Sequence, residues 1–146
     1  MSNPVVFVSH VRIRDGQLDA VRQISRAISQ RLEAEQPRTL SQLLYLDETG
    51  SRMTIVYVFA DAESMDLHFV GADERARTAS AYVDLAGFEI YGQPSEAVLE
   101  SLREAAAAAG APVTIQAEHL AGFLRLGPAR ARDSDDQHAS RRRAAR

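Results

Sequence analysis

A stretch near the middle of the chain joins a strand that is apolar on both faces to the start of a helix. Residues 53–69 read MTIVYVFADAESMDLHF, with the strand at 54–59 and an acidic turn that begins at Asp61. A strand without a polar face must be covered on both sides. Helices of this 146-residue chain can cover one side, so the sequence predicts that a second subunit covers the other and that the protein is a homodimer.

The spacing of apolar residues on either side of this stretch predicts the order of the remaining elements. The predicted order begins with a strand at 5–14, a helix ending just before Pro37, and strands at 40–46 and 53–59. A second helix follows, capped by Asp61 or alternatively by Ser64, with an apolar stripe from Met65 to Val83. A break at 86–87 ends this helix, and a strand at 88–92 completes the order. This β-α-β-β-α-β order is the ferredoxin-like pattern. In that pattern both helices cover one face of a four-stranded antiparallel sheet, so we expect an α+β fold.

Residues 93–126 predict an extension of this pattern. A third helix opens at Pro94-Ser95 and stops at Gly110, and alternation at 113–120 is typical of a fifth strand that joins an edge of this sheet or of the partner's. We therefore expect one domain over 1–127.

The end of the chain, residues 128–146, has a different composition. It contains six Arg against three Asp and no large apolar side chain, so it cannot repay the entropy of becoming ordered. We expect a disordered Arg-rich tail, although Arg141, Arg142 and Arg143 could instead contact a polyanion.

Composition excludes several kinds of chemistry. The chain has no Cys, which excludes disulfides, thiol nucleophiles and cysteine-ligated metals. All 17 basic residues are Arg, so the chain has no lysine amine for a Schiff base. The preference for Arg is typical of a GC-rich bacterial genome. No two histidines have the spacing of a metal site, so we expect no metal.

Charge and hydropathy also narrow the choice of partners. The net charge is −3 although the Arg-rich end is positive, so the body is acidic and nucleic acid is an unsuitable partner. No segment approaches the roughly 20 apolar residues of a membrane span. The first residues show no secretory signal. We expect a cytoplasmic protein with no membrane or nucleic-acid partner.

With this order of elements, residues 4–92 resemble the antibiotic biosynthesis monooxygenase-like family, a branch of the dimeric α+β barrels. The matching segments read VVFVSHVRIRDGQLDAV and TIVYVFADAESMDLHF. The family pattern has an apolar strand ending in an aromatic residue, an acidic turn, and a histidine nine residues past the aromatic, which here are Phe59, residues 61–63 and His68. The resemblance implies a ferredoxin-like sheet that forms a dimeric α+β barrel with a second subunit.

The resemblance also implies a chemistry. Cofactor-free members of the family oxidise phenolic or hydroquinone substrates, whose deprotonated forms pass electrons to oxygen. The implied function is a cofactor-independent monooxygenase for a small aromatic ligand. His68 is the candidate catalytic base because histidine titrates near neutrality. Ser9 and Tyr91 would orient the substrate hydroxyl, and Phe59 and Phe69 would form the walls of the substrate site.

Haem-degrading members of the same family have a different set of residues. They use an asparagine on the first strand, and a tryptophan and a haem-ligating histidine on the second helix. The corresponding positions here are Ser9, His68 and Arg77, and the chain has no Trp. We therefore expect no haem and no other cofactor.

Each candidate residue also has a structural interpretation. A lone histidine on a helix can be a packed interface residue, as can His10, which lies on the strand face opposite Ser9. Core packing accounts for the four tyrosines. Three functions remain open: a cofactor-independent oxygenase, a non-catalytic protein that binds a small ligand, and a structural homodimer whose cavity is filled by its own side chains. The volume and lining of the space between sheet and helices distinguish them.

Overall fold

The computed structural model describes residues 3–125. Along these residues the elements are β1 (Val5–Ile13), α1 (Leu18–Glu35), β2 (Thr39–Leu46), β3 (Arg52–Phe59), α2 (Ala62–Phe69), α3 (Ala72–Ala79), β4 (Val83–Tyr91), α4 (Glu96–Ala109) and β5 (Val113–Gln116). The tail predicted at 128–146 lies outside the described residues. Within the described part, no helix is both long enough and apolar enough to cross a bilayer.

The strands form one open five-stranded sheet in the order β2-β3-β1-β4-β5. The pairs β1–β3, β1–β4 and β2–β3 are antiparallel, whereas β4 and β5 are parallel. The first four strands therefore have the ferredoxin-like order, which confirms the predicted α+β fold. β5 joins the sheet of its own chain, which settles the choice of sheet that the sequence left open.

All four helices belong to one face of the sheet, and the core lies beneath them. On β1, Phe7 and Ser9 point to this helical face, while Val6 and Val8 point to the other. The side chains most deeply buried on the helical face are Val5, Phe59, Met65 and Ile90, each 0% exposed. Helix α4 packs on the same cluster through Val98, Leu102 and Ala106. The extension thus enlarges the helical layer as well as the sheet.

Local signals in the sequence explain most of the helix boundaries. Helix α1 ends at Glu35 because a residue before a proline disfavours helical backbone, and Pro37 is two positions on. The side chain of Asp61 accepts a hydrogen bond from the backbone N–H of Ser64 at 2.8 Å and so caps α2. Ser95 caps α4 in the same way, and Gly110 ends it in the left-handed conformation. These boundaries were predicted correctly.

The predicted second helix was wrong in length. It is two helices, α2 and α3, separated by Gly71 at φ +79°, a conformation that favours glycine. Val83 is the first residue of β4 and does not belong to a helix. The pairing of β4 with β1 shifts between His10 and Val11, opposite the predicted break at 86–87. This bulge interrupts the alternation of β4, so the sequence pattern showed only its second half.

The predicted fifth strand, 113–120, was too long. β5 ends at Gln116, and residues 117–125 have no regular structure and are all exposed. Their large apolar side chains contact little of the chain, since Leu120 is 89% and Phe123 80% exposed. Alternation at 117–120 therefore does not reflect a buried face within this chain.

The face of the sheet opposite the helices has no cover in the described chain. Its central side chains include Val6, Val56 and Val58, which are half-buried by their neighbours. Towards the β2 edge, Leu43 is 48% and Tyr45 is 58% exposed. An apolar face of this kind is unusual on a monomer.

Gly92 is expected to tolerate alanine much less well than Gly110. Both have positive φ, +98° and +65°, which costs a non-glycine residue about 1–2 kcal/mol. A Cβ at position 92 would also clash with the carbonyl oxygen of Pro4, whereas a Cβ at 110 has nothing within 4 Å. Urea denaturation should show a loss of about 1 kcal/mol for Gly110→Ala and at least ~3 kcal/mol for Gly92→Ala. Equal losses would contradict the tight packing of the β4 end against the start of β1.

Candidate functional site

A cavity of about 440 Å³ lies between the helical face of the sheet and the helices. Ligand sites for small molecules typically have about 300–1,000 Å³. Its walls are mainly apolar and aromatic, and include Phe7, Ile24, Ile28, Ile55, Phe69 and Phe88. Exposed residues of α3, among them Asp73 and Ala76, also line it, so the cavity opens to solvent beside α3. The space is therefore not filled by the chain's own side chains.

The structure brings three of the five predicted site residues to this cavity. Ser9, His68 and Phe69 all line it. Phe59 is fully buried and lies against the imidazole of His68, with ring centroids 5.2 Å apart. Tyr91 pairs with Val6, so it lies on the opposite face of the sheet and does not line the cavity.

His68 is placed by the short, capped helix α2. Ser64, Met65 and His68 are its buried residues, at the spacing of three and four that shares one helix face. Met65 anchors that face in the core, and His68 is left 4% exposed. Its Nδ1 lies 3.1 Å from Oγ1 of Thr39, the first residue of β2. This hydrogen bond fixes the plane of the imidazole.

The second ring nitrogen of His68 is reachable from the cavity. Among the described residues, Nε2 has no hydrogen-bond partner. In the same part of the chain, no fully buried side-chain nitrogen or oxygen lacks a partner. Nε2 therefore keeps some accessible surface. Because His68 lines the cavity, this surface faces the space where a ligand would lie.

The imidazole is neutral at physiological pH. Burial, and to a smaller extent the charge of Arg75, lower the pKa of His68 from 6.5 to about 4. A neutral ring bonded at Nδ1 leaves Nε2 as either an acceptor or a donor, depending on the tautomer. With Thr39 accepting at Nδ1, Nε2 is the acceptor. In this tautomer the neutral ring of His68 accepts a hydrogen bond from a ligand, but it is a weak base.

Tyr57 is a cavity residue that the sequence interpretation missed. Its ring lies 4.7 Å from that of His68 and stacks on Phe7 at 5.5 Å. Its oxygen accepts a hydrogen bond from Nε2 of Gln42 at 3.4 Å, and Oε1 of Gln42 accepts one from Ser29 at 2.7 Å. Within the described residues, its own O–H has no acceptor, so the hydroxyl can donate to a ligand.

Burial raises the pKa of the Tyr57 hydroxyl, while the bond from Gln42 and the charge of Arg75 act against this rise. The group therefore stays protonated at neutral pH and remains a donor. The sequence did contain a signal for it. Tyr57 alternates with Ile55 and Phe59 along one strand, so all three side chains point to the same face of the sheet. This is the face on which Phe59 lies against His68.

Arg75, on α3, adds a positive charge to the lining. Its guanidinium donates to the backbone carbonyls of Val70, at 3.1 Å, and of His68. Arg77, the position that the resemblance aligned with the haem-ligating histidine of haem-degrading relatives, is exposed and does not line the cavity. Across residues 3–125, no group of His, Asp and Glu is arranged to hold a metal ion.

A second, smaller cavity of about 270 Å³ lies on the opposite side of the sheet. His10 lies there with Nδ1 3.1 Å from Oγ1 of Thr54 and Nε2 3.0 Å from a carboxylate oxygen of Glu89. These contacts occupy both ring nitrogens. The ring that retains a free nitrogen beside a large cavity is therefore that of His68, and not that of His10.

The fold has counterparts among solved structures, at modest TM-scores and low sequence identities. MupZ from Pseudomonas fluorescens matches 84% of this chain and 94% of its own, with a TM-score of 0.60 and 17% identity. SnoaB from Streptomyces nogalater, a cofactor-independent oxygenase, matches 63% of this chain and 94% of its own, with a TM-score of 0.52 and 15% identity. A candidate antibiotic biosynthesis monooxygenase from Bacteroides thetaiotaomicron matches 60% and 85%, with a TM-score of 0.52 and 15% identity.

The fold is that of the antibiotic biosynthesis monooxygenase-like proteins. This confirms the resemblance inferred from residues 4–92. No protein-family model matches the chain, and no curated protein matches it significantly. At identities this low, the likeness establishes the fold and not the reaction.

The buried neutral state of His68 is expected to make the fold less stable in acid. Below pH 6.5 the unfolded chain takes up a proton on this histidine, whereas the folded chain does so only near pH 4. The contribution of this histidine to the free energy of unfolding should be fully present above pH 6.5 and should be lost as the pH falls towards 4. The gap between the two pKa values corresponds to a loss of roughly 3 kcal/mol. Urea denaturation across this range measures the decline. His68→Gln should flatten it and the exposed control His119→Gln should not; an unchanged slope in His68→Gln would contradict the assignment.

Proposed function

We propose that this protein is a cofactor-independent monooxygenase that acts on a small phenolic or hydroquinone-type molecule. The observation that carries the proposal is the open cavity of about 440 Å³, in which a neutral imidazole and a free tyrosine hydroxyl meet aromatic walls. The fold of SnoaB, itself a cofactor-independent oxygenase, supports the choice of reaction.

The reaction needs no external reductant. A phenol with a free ring position takes up one molecule of oxygen and gives a quinone and one molecule of water. One oxygen atom becomes the new carbonyl, and the other leaves as water with the ring hydrogen and the hydroxyl hydrogen. The substrate supplies the electrons, and its oxyanion supplies them much more readily than the neutral phenol. The protein must therefore bind the substrate hydroxyl, assist loss of its proton and keep bulk water away.

The residues of the cavity can divide these tasks. Nε2 of His68 accepts the hydrogen bond of the substrate hydroxyl and then its proton. The O–H of Tyr57 donates to an oxygen of the substrate, which stabilises negative charge there. Ser9 offers a further hydroxyl from β1, and Phe69 supplies the wall.

A non-catalytic protein that binds the same ligand is the second candidate. It is favoured by the pKa of His68, about 4, because efficient bases have pKa values near the working pH. A weak base still accepts a hydrogen bond, so the geometry serves binding as well as chemistry. The third candidate, a structural homodimer with a filled cavity, is disfavoured by the size of the open cavity.

We also propose that two copies pack with their uncovered sheet faces together, as the resemblance implies. The apolar side chains of this face, such as Val56 and Leu43, support the arrangement. So do Leu120 and Phe123, which are exposed just beyond β5 and give the partner further apolar surface. The helical faces, with their cavities, would then lie on the outside of the dimer and remain open to ligand.

Oxygen uptake tests the proposed reaction. Protein freed of metals by chelation and of flavin by gel filtration is mixed with a panel of phenols, hydroquinones and naphthols. We expect at least one member to consume oxygen in proportion to protein concentration, with saturation in substrate. Binding of panel members without oxygen uptake would support the second candidate, and neither binding nor uptake would contradict both.

A further inference from the structure

We infer that the cavity selects an aromatic compound with a carboxylate beside its hydroxyl group, and that Arg75 binds this carboxylate. The inference deepens the function proposed above and rests on it for the hydroxyl group and for the position of the ligand in the cavity.

Arg75 has unused hydrogen-bonding capacity in an apolar cavity. A guanidinium has five N–H donors, and two of them are used on the carbonyls of Val70 and His68. Within residues 3–125, no carboxylate lies within ion-pair distance of it. Three donors and a full positive charge therefore remain for a ligand. Guanidinium groups bind carboxylates in a two-pronged geometry that matches these free donors.

The position of Arg75 is fixed by the break between α2 and α3. Gly71 turns the chain in the left-handed conformation at the start of α3, four residues before Arg75. The carbonyls of His68 and Val70, at the end of α2, then receive the guanidinium. A side chain held in this way loses little further freedom when a ligand binds, which raises affinity.

The charge of Arg75 acts on the polar groups of the cavity. It lowers the pKa of His68, after the larger effect of burial, and it opposes the rise in the pKa of Tyr57. Both effects have the sign expected of a positive potential in the cavity. The same potential favours an anionic ligand and disfavours a cationic one.

The contacts also place the two ligand groups relative to each other. The guanidinium donates to the backbone carbonyl of His68, the residue whose imidazole accepts the substrate hydroxyl. Arg75 and His68 therefore lie side by side in the lining, and among rings that carry both groups we infer the shortest spacing, a carboxylate and a hydroxyl on adjacent carbon atoms. Hydroxyarenes with an adjacent carboxylate meet this requirement, and their flat rings suit the walls formed by Phe7 and Phe69.

Equilibrium binding of two matched probes tests the inference. The probes are 1-hydroxy-2-naphthoate and its uncharged analogue 1-hydroxy-2-naphthamide, at pH 7.5, where only the first is an anion. Their own fluorescence reports binding, since the chain has no tryptophan. We expect the parent protein to bind the acid roughly 10- to 100-fold more tightly than the amide, as for a hydrogen-bonded charge pair.

Variants of α3 separate a binding role for Arg75 from its structural one. Arg75→Gln should reduce acid affinity to the level of the amide and change amide affinity by less than about twofold. Arg75→Lys, which keeps the charge, should retain part of the preference. The neighbouring control Arg77→Gln should change neither affinity.

Three results would overturn the inference: equal binding of acid and amide by the parent, equal loss of both in Arg75→Gln, or binding of neither probe. Equal loss of affinity for both probes would mean that Arg75 only stabilises the end of α2. The outcome is separate from that of the oxygenase proposal. If the protein binds the acid selectively but consumes no oxygen, the anion site is supported and the oxygenase proposal is contradicted. If it consumes oxygen with uncharged phenols and Arg75→Gln does not change that rate, the oxygenase proposal is supported and the anion site is contradicted.

Discussion

Replacing His68 by alanine is expected to slow oxygenation about 100-fold. Positioned general bases contribute about 10²–10⁴ in rate, and the lower end applies because a group with a pKa of about 4 is a weak base. The side chain is buried and lies against the rings of Tyr57 and Phe59, so the alanine variant also loses packing. Rates should be compared as kcat under substrate saturation, at temperatures where both proteins are folded.

Two further variants make the His68 result specific. His68→Gln keeps a hydrogen-bond acceptor and most of the volume, so it should bind substrate nearly as well as the parent and still turn it over slowly. His119→Ala, on the exposed segment after β5, should match the parent in both respects. If His68→Ala retained full kcat, the histidine would have no part in the reaction.

An aspartate at Leu43 is expected to dissociate the dimer without unfolding the chain. Leu43 lies on the uncovered sheet face and is 48% exposed within one chain, so a charge there costs a monomer little. In a face-to-face dimer the same charge would be buried without a partner, at about 3–5 kcal/mol, which makes the dimer roughly 10²–10⁴-fold weaker. The Leu43→Asp variant therefore tests dimerisation and not the folding of the single chain.

Analytical ultracentrifugation measures this effect directly. The parent should sediment with twice the 16.0 kDa mass of one chain at micromolar concentration, and Leu43→Asp should shift towards one chain mass. Val70→Asp is the matched control, because Val70 is 70% exposed at the end of α2, on the helical side. A monomeric parent, or a variant that remains dimeric, would contradict packing through this face.

The fold was largely predictable because its boundaries depend on local chemistry. Asp61, Ser95, Gly110 and Pro37 each act within a few residues of their own position, and each marks a helix end that the structure confirms. The errors occurred where distant residues decide. The bulge in β4 depends on pairing with β1, and the end of β5 depends on what lies beside residues 117–120.

The candidate site was predictable only in part. Ser9, His68 and Phe69 meet at the cavity as expected, but Tyr91 does not, because the register of β4 places it on the opposite face. Strand alternation counted from Phe88 would have given that result. The roles of Tyr57 and Arg75 could not be deduced from the sequence, since they depend on contacts with Gln42 and with the carbonyls of α2.

Isotope tracing is the most direct test that the cavity supports oxygenation. A substrate found by oxygen uptake is converted under oxygen gas labelled with the heavy oxygen isotope, in unlabelled water and without metal or flavin. The mass of the product is then measured by mass spectrometry. We expect one heavy oxygen atom in each product molecule, and a rate that falls in His68→Ala. A product whose new oxygen comes from water, or a label incorporated equally fast without the protein, would contradict this expectation.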